Sequence, residues 1–239
     1  MGGKYLHHTA CEHCGSSDAN AVYDDGGEHC FSCGYHKGSK VSAYVKQVQE
    51  DDEIIRLPDD LSFEYSQEAL AWANLYHLSA EDLIKHKVYF SKMHNQLVYV
   101  YQHMDKPGVG CYQARNFNSG AKKYYNAGSS SNVMPVYHSS NKDRTKLVLV
   151  EDAISAIRVS DVYDAMPILG SSINLDKIAR IPKLGYNSVI VWLDHDKYVE
   201  ALNISRKLDF IGVRTHIINT DLDPKCYLPE IINNRLHVL

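Results

Sequence analysis

Cys11-x-x-Cys14 and Cys30-x-x-Cys33 are separated by residues 15–29, and nothing else in the 239 residues limits the fold as tightly. Two CxxC pairs about 15–20 residues apart set four thiolates around one tetrahedral ion, the arrangement of a zinc ribbon. Residues 1–38 are too few to fold on apolar burial alone. Structural zinc supplies roughly 10–16 kcal/mol, enough to staple such a segment. Four sulfurs close the coordination sphere, so one Zn²⁺ held by Cys11, Cys14, Cys30 and Cys33 is expected to be structural and not catalytic. His13, His29 and His36 are the nearby alternative ligands, and a pair of disulfides is the rival reading. Cys111 and Cys226 stand alone; secreted frameworks spread their cysteines through the fold, whereas close pairs in a reducing compartment read as metal ligands.

The chain as a whole has the composition of an ordinary soluble protein, 44% hydrophobic and 23% charged. No apolar run approaches a membrane span and the N-terminus lacks a signal-peptide core, so a cytoplasmic protein with no membrane partner is expected. The net charge of −4 argues against coating nucleic acid by bulk charge; any such contact must be local. Tyr23, His29, Phe31 and Tyr35 are candidates to stack on bases of a single strand, helped by Lys37 and Lys40; the alternative is that Phe31 and Tyr35 simply cover the metal.

Residues 39–60 carry an acidic run, Glu50 to Glu53, and end near Pro58, the pattern of a linker. From Ser66 the pattern predicts a helix with Leu70, Ala71, Ala73 and Leu75 on a broad apolar face. Ser79 with Asp82 resembles a capping box opening a second helix. Residues 97–104 and 109–115 read as strands around the turn Asp105-Lys106-Pro107-Gly108. Beyond that, strands at 147–150, 167–170, 188–193 and 213–218 alternate with helices: an amphipathic one to about Tyr163, then 175–181, 199–210 and 227–236. Such alternation implies a parallel sheet wrapped by helices, hence an α/β chain.

Acids follow three of those strands: Glu151-Asp152, Asp194-His195-Asp196, and Asp221 with Asp223. Open parallel sheets bind ligands beyond their C-terminal strand ends. In extended backbone Asp194 and Asp196 would point to one side. Two carboxylates about 4 Å apart repel by roughly 4 kcal/mol at an effective dielectric of 20, so gathering several needs a cation. All-oxygen ligands select Mg²⁺ or Mn²⁺, which suits nucleotidyl transfer. The bland reading has each acid capping the helix that follows. Between Lys106 and Tyr125 the charges are Lys106, Arg115, Lys122 and Lys123 with no acid, beside Tyr124 and Tyr125. That patch either grips phosphate or is a solvated hairpin.

Together these pieces resemble bacterial and phage DNA primases, especially the primase half of phage primase–helicases. CEHCGSSDANAVYDDGGEHCFSCG resembles their zinc-binding domain, and ARNFNSGAKKYYNAG resembles an Arg followed by a Lys-Tyr-x-Asn element. KLVLVEDAISAI, ILGSSI and VIVWLDHDK follow the order of a TOPRIM domain. The resemblance covers nearly the whole chain. It implies a zinc ribbon that recognises template (1–38), a linker (39–60), an α+β part of an RNA polymerase domain with the basic patch (61–145), and a TOPRIM catalytic subdomain (146–239).

By position, the resemblance implies that Glu151 is the first TOPRIM acid and a general base toward the primer 3′-hydroxyl. Asp194 and Asp196 would hold Mg²⁺ or Mn²⁺, and Asp223 would match a later acidic ligand. Arg115, Lys122, Lys123 and Tyr124 would contact nucleotide or template. The family's usual Gly after the Glu and its acid four residues beyond are here Asp152 and Ser155, so Asp152 is the candidate replacement. The implied activity is synthesis of short RNA primers from ribonucleoside triphosphates on single-stranded DNA. With no P-loop in the sequence, a replicative helicase is expected on a separate chain. The rivals are a non-catalytic zinc/TOPRIM recombination-repair protein and a TOPRIM nuclease.

Overall fold

The computed structural model describes residues 4–38, 55–140, 145–170 and 172–237, and the chain divides into two compact units, Met1–Glu53 and Ile54–Leu239. The first unit is a four-stranded antiparallel sheet of β1 (Tyr5–Thr9), β2 (Asn20–Tyr23), β3 (Glu28–Cys30) and β4 (His36–Lys37), paired in that order. Its buried side chains are few, chiefly Cys11, Asn20, Ala21 and Cys30. That thin core is what the sequence predicts for a segment needing a metal staple.

The second unit opens with β5 (Leu61–Ser62), α1 (Gln67–Asn74), α2 (Ala80–Lys85), β6 (Val88–Ser91), β7 (Gln96–Gln102), β8 (Val109–Asn116) and β9 (Tyr124–Gly128). The five strands form one antiparallel sheet in sequence order. Alternation along β7 divides its faces. Leu97, Tyr99 and Tyr101 pack with α1 and α2, while Val98 and Val100 lie opposite among Tyr112, Ala114, Ile55 and Leu57. The expected capping box of α2 is present, with Ser79 and Asp82 bonding reciprocally. The face of α1 differs from expectation. Ala69 and Ala73 are its buried residues, whereas Ala71 is exposed and Leu75 is 71% exposed. Small alanines let the helix approach the sheet closely, and Leu75 falls at the helix end, where the chain turns away.

Most of the expected linker, residues 39–54 including Lys40 and the acidic run, lies outside the described residues. Residues 55–60 belong to the second unit: Ile55 and Leu57 cover the sheet, and Asp60 accepts from Ser91 Oγ at 2.7 Å and Met93 N at 2.6 Å.

Next come β10 (Lys146–Val150), α3 (Ala153–Val159), β11 (Ala165–Pro167), α4 (Leu175–Arg180), β12 (Ser188–Val191), α5 (Tyr198–Phe210), β13 (Arg214–Ile217) and α6 (Pro229–His237). The sheet is parallel throughout, in the order β11-β10-β12-β13. Both faces are covered. Leu147 and Leu149 point to the side of α4 and α5, Val148 and Val150 to the side of α3 and α6. Continuous apolar runs such as LVLV therefore mark strands buried on two faces. Each fully buried Leu or Ile contributes roughly 1.5–3 kcal/mol.

Helix α3 ends at Val159, before the expected Tyr163, and is buried all round instead of amphipathic. Ile154 and Ile157 join the core under the antiparallel sheet, while Ala156 and Val159 join the core against the parallel one. A helix clamped between two sheets has no solvent face to mark it. Helix α3 thereby joins the core of the antiparallel sheet to that of the parallel sheet within the second unit. At the sheet edge, Asp164 is wholly buried and accepts from Tyr186 Oη at 2.6 Å and Ser139 N at 2.8 Å, with His138 Nδ1 at 2.9 Å. Against its burial, these partners hold the carboxyl below its ordinary range.

Candidate metal centres and active site

Each CxxC pair sits in a tight knuckle. Gly15 N donates to Cys11 O and Gly34 N to Cys30 O, both at 2.9 Å, and the two glycines take φ of 72° and 73°. Only a residue tolerant of the left-handed region turns the chain there, so the Gly after each second cysteine belongs to the motif. The four sulfurs lie within 4.8 Å of one another. Cys11 and Cys33 Sγ are 3.8 Å apart, Cys14 and Cys30 Sγ 3.7 Å. A tetrahedron with Zn–S bonds of about 2.3 Å has edges of about 3.8 Å, so the donor set fits one zinc-type ion. The crowded thiols shift in opposite directions: against burial, backbone amides at Cys33 and Ser32 bring Cys30 down to about 7, whereas against the Tyr35 amide, burial and the neighbouring sulfurs push Cys33 up to about 12, a mutual repulsion that a cation among the four sulfurs would relieve.

Around this site Tyr35 stacks on His13 at 4.2 Å, while Phe31 is 66% exposed beside His29 and His8. Lys37 is paired with Glu28. Phe31 therefore presents most of its ring to solvent.

In the second unit β10 and β12 are adjacent, yet the chain visits β11 on the far side of β10 before returning to β12. That makes the β10/β12 boundary a topological switch point, where a crevice opens beyond the strand ends. Glu151 follows β10 directly and Asp194 lies three residues after β12. The two are electrostatic neighbours. Burial first, then Asp194, pushes Glu151 up to about 7; burial, with Asp152 and Asp223 adding to it and Lys225 opposing, pushes Asp194 up to about 6. Glu151 Oε2 and Asp194 Oδ1 are buried without a hydrogen-bond partner. Two orphaned carboxylate oxygens at one rim are an uncompensated cost unless a cation or a proton satisfies them. Oxygen donors of this kind suit Mg²⁺ or Mn²⁺.

The remaining acids divide. Asp152 caps α3, accepting from Ser155 N at 2.7 Å, and also faces Lys225 Nζ at 2.8 Å; it is both a cap and a rim acid. Ser155 is wholly buried in α3 and its hydroxyl has no partner. Asp223 lies 2.9 Å from Lys225 Nζ. Asp196 behaves otherwise than extended backbone predicts. After Val191 the strand ends, and Lys197 N donates to Asp194 O at 2.9 Å to close a turn. This swings Asp196 out, 58% exposed and 3.3 Å from Lys197 Nζ, which lowers its carboxyl. Asp221 is exposed and stands outside the pairs made by Lys225.

Lys225 was not legible as a site residue, although a lysine two residues past Asp223 in an acidic stretch was the available signal. Against its own desolvation, Asp152, Asp223 and Asp194 hold its ammonium well above the ordinary value.

The basic patch lies on the neighbouring antiparallel sheet. Arg115 on β8 pairs in register with Tyr124 on β9. Its guanidinium is 5.3 Å from the ring of Trp72, 5.5 Å from Phe117 and 5.4 Å from Tyr124. Three aromatic faces hold the cation in place without neutralising it. Lys123 lies over Tyr124 at 5.8 Å, and Lys122 is exposed. Burial and then Asp152 push the Tyr124 phenol up to about 12, with Arg115 and Lys225 opposing, so patch and acidic rim share one electrostatic neighbourhood. Trp72 and Phe117 carry no charge, and sequence reading gave them no role.

No family model matches the chain. A stretch of 29 residues, 12% of the chain, is 62% identical to the DNA helicase/primase of Enterobacteria phage T3, of which it spans 5%. Among solved structures, the primase fragment of the bacteriophage T7 primase–helicase matches 98% of this chain and 99% of its own, with TM-score 0.54 and 15% identity. The zinc-binding and RNA-polymerase domains of the Aquifex aeolicus primase match 100% of this chain and 79% of theirs, with TM-score 0.57 and 14% identity. The chain therefore has the fold of the zinc-binding and RNA-polymerase domains of phage and bacterial DNA primases.

Proposed function

We propose that the chain is a DNA primase, synthesising short oligoribonucleotides on single-stranded DNA by metal-dependent nucleotidyl transfer. The observation carrying this reading is the pair of unpartnered oxygens on Glu151 and Asp194 at the switch-point crevice, in a fold shared with primases. Glu151 and Asp194 would hold Mg²⁺ or Mn²⁺, with Asp223 beside them and Asp196 turning in from its exposed pairing with Lys197. When bound, the ion supplies positive charge to the triphosphate and to the attacking and leaving oxygens.

The chain's own residues divide the rest of the work. Glu151, raised to about 7 by burial and Asp194 while no cation is held, would fall back toward a carboxylate once an ion binds, in the form able to accept the proton of a primer 3′-hydroxyl. Arg115, fixed among Trp72, Phe117 and Tyr124, presents its guanidinium to phosphate, and Lys122 and Lys123 extend that positive surface along the template or the incoming ribonucleotide. Exposed Phe31 and its histidine neighbours offer a stacking surface for template bases. Start-site recognition by the zinc unit and coupling to a helicase on another chain follow by analogy of fold. Thiolate ligands fit a reducing cytoplasm, the host's if the chain is phage-encoded.

The test incubates the full chain with single-stranded templates, labelled ribonucleotides and Mg²⁺ or Mn²⁺, then sizes the products. Short oligoribonucleotides that require both template and metal support the reading. Metal-dependent template cleavage without ribonucleotides would make it a nuclease, and DNA binding without chemistry would make it a repair scaffold.

A further inference from the structure

The acidic rim already contains a cation. Lys225 enters it from the short turn Pro224–Cys226, and its side chain is only 12% exposed. Its Nζ lies 2.8 Å from Asp152 Oδ2, 2.9 Å from Asp223 Oδ2 and 3.3 Å from Asp194 Oδ2. An ammonium has three N–H donors, and here three carboxylates take them. Pro224 fixes the backbone angle just before the lysine, so the ammonium is delivered by a stiff turn. Asp152 is itself anchored as the cap of α3. Glu151 is the rim acid outside these ion pairs, and the oxygens left over are its Oε2 and Asp194 Oδ1.

We infer that Lys225 is a resident substitute for one of two metal ions, so that the rim takes a single divalent cation, through Glu151 and Asp194. This rests on the metal-dependent reading proposed above. The charges agree with it. Lys225 pairs with three of the four acids, and a single dication between Glu151 and Asp194 leaves the group one unit negative while keeping those three pairs intact. A second dication would have to break three ion pairs in a half-buried site, where each close like-charge contact is costly. Lys225 is a positioning residue in this scheme: it acts on the ion through Asp194, whose second oxygen it holds.

The experiment titrates Mn²⁺ into the zinc-loaded full chain and follows free Mn²⁺ by electron paramagnetic resonance. The wild type is expected to bind one Mn²⁺ that is lost in Glu151→Gln. Lys225→Met is expected to bind two, or to bind the first at least about tenfold more tightly once the competing charge is gone. Lys225→Gln, which keeps length and a hydrogen-bonding end, serves if the methionine variant does not fold. Two ions in the wild type would overturn the inference, whatever the variants do. One ion of unchanged affinity in both Lys225 variants would overturn it as well. Mn²⁺ binding indifferent to both Glu151→Gln and Asp194→Asn would instead remove the metal reading of the rim itself.

Discussion

In buffer free of divalent ions at pH 8, Glu151→Gln is expected to stabilise the second unit by about 1–2 kcal/mol while removing its chemistry. Burial, then Asp194, raises the Glu151 carboxyl from its ordinary 4.5 to about 7. Between those values the folded state keeps a proton that the unfolded chain has released, so stability falls as pH rises through the window. At about 1.4 kcal/mol for each tenfold, the ceiling is roughly 3 kcal/mol. Glu151 is half-buried, and solvent screening reduces this to about 1–2 kcal/mol. The neutral amide has the same shape and does not carry the penalty. For a unit of this size the gain corresponds to roughly 3–6 °C in Tm. Urea unfolding followed by tryptophan fluorescence reads it cleanly, because the chain's two tryptophans, Trp72 and Trp192, both lie in the second unit. At pH 5 the gap should shrink to roughly a few tenths of a kcal/mol. A difference independent of pH, or a variant less stable than wild type at pH 8, would refute the assigned environment of Glu151.

Three other outcomes are expected. Asp164→Asn should lose about 2–3 kcal/mol in the same urea assay, since Asn cannot satisfy the three partners that converge on the carboxylate. The wild-type increment is present above pH 3.8, the ordinary aspartate value, and is lost as pH falls through the lower folded value. Cys30→Ser, or strong chelation of zinc, should unfold the first unit and abolish template selection, seen as loss of zinc by metal analysis and of sequence-dependent product starts. Arg115→Ala should raise the KM for ribonucleotides or template by about tenfold with a smaller change in kcat, whereas removing the exposed Lys122 should matter mainly at low salt.

How much of this was legible in the sequence depended on how local each signal is. The ligand cysteines were, because spacing alone places four sulfurs. The parallel sheet was, because strands alternating with helices leave few other ways to connect, and runs such as LVLV mark buried strands. Helix α3 was read as amphipathic because its second apolar neighbour, the antiparallel sheet, is distant in sequence. Strand β6 and the pairing of β9 were missed for a related reason: each depends on partners that periodicity cannot reveal. At the rim, Glu151 and Asp194 came together as strand-end acids should, but Asp196 did not, since a turn bond from Lys197 to Asp194 ends the extended backbone that the two-residue spacing assumed. Lys225 illustrates the opposite failure. A cation was expected among the acids and was sought as a metal, while the lysine two residues after Asp223 went unread.

If Glu151 and Asp194 carry synthesis, binding and chemistry should separate when both are measured side by side in Asp194→Asn. With template, labelled ribonucleotides and Mg²⁺, the wild type should make short oligoribonucleotides. Asp194→Asn should bind single-stranded DNA within a fewfold of wild type and make at least about a thousandfold less product. Product formation at the wild-type rate in the variant would contradict the account.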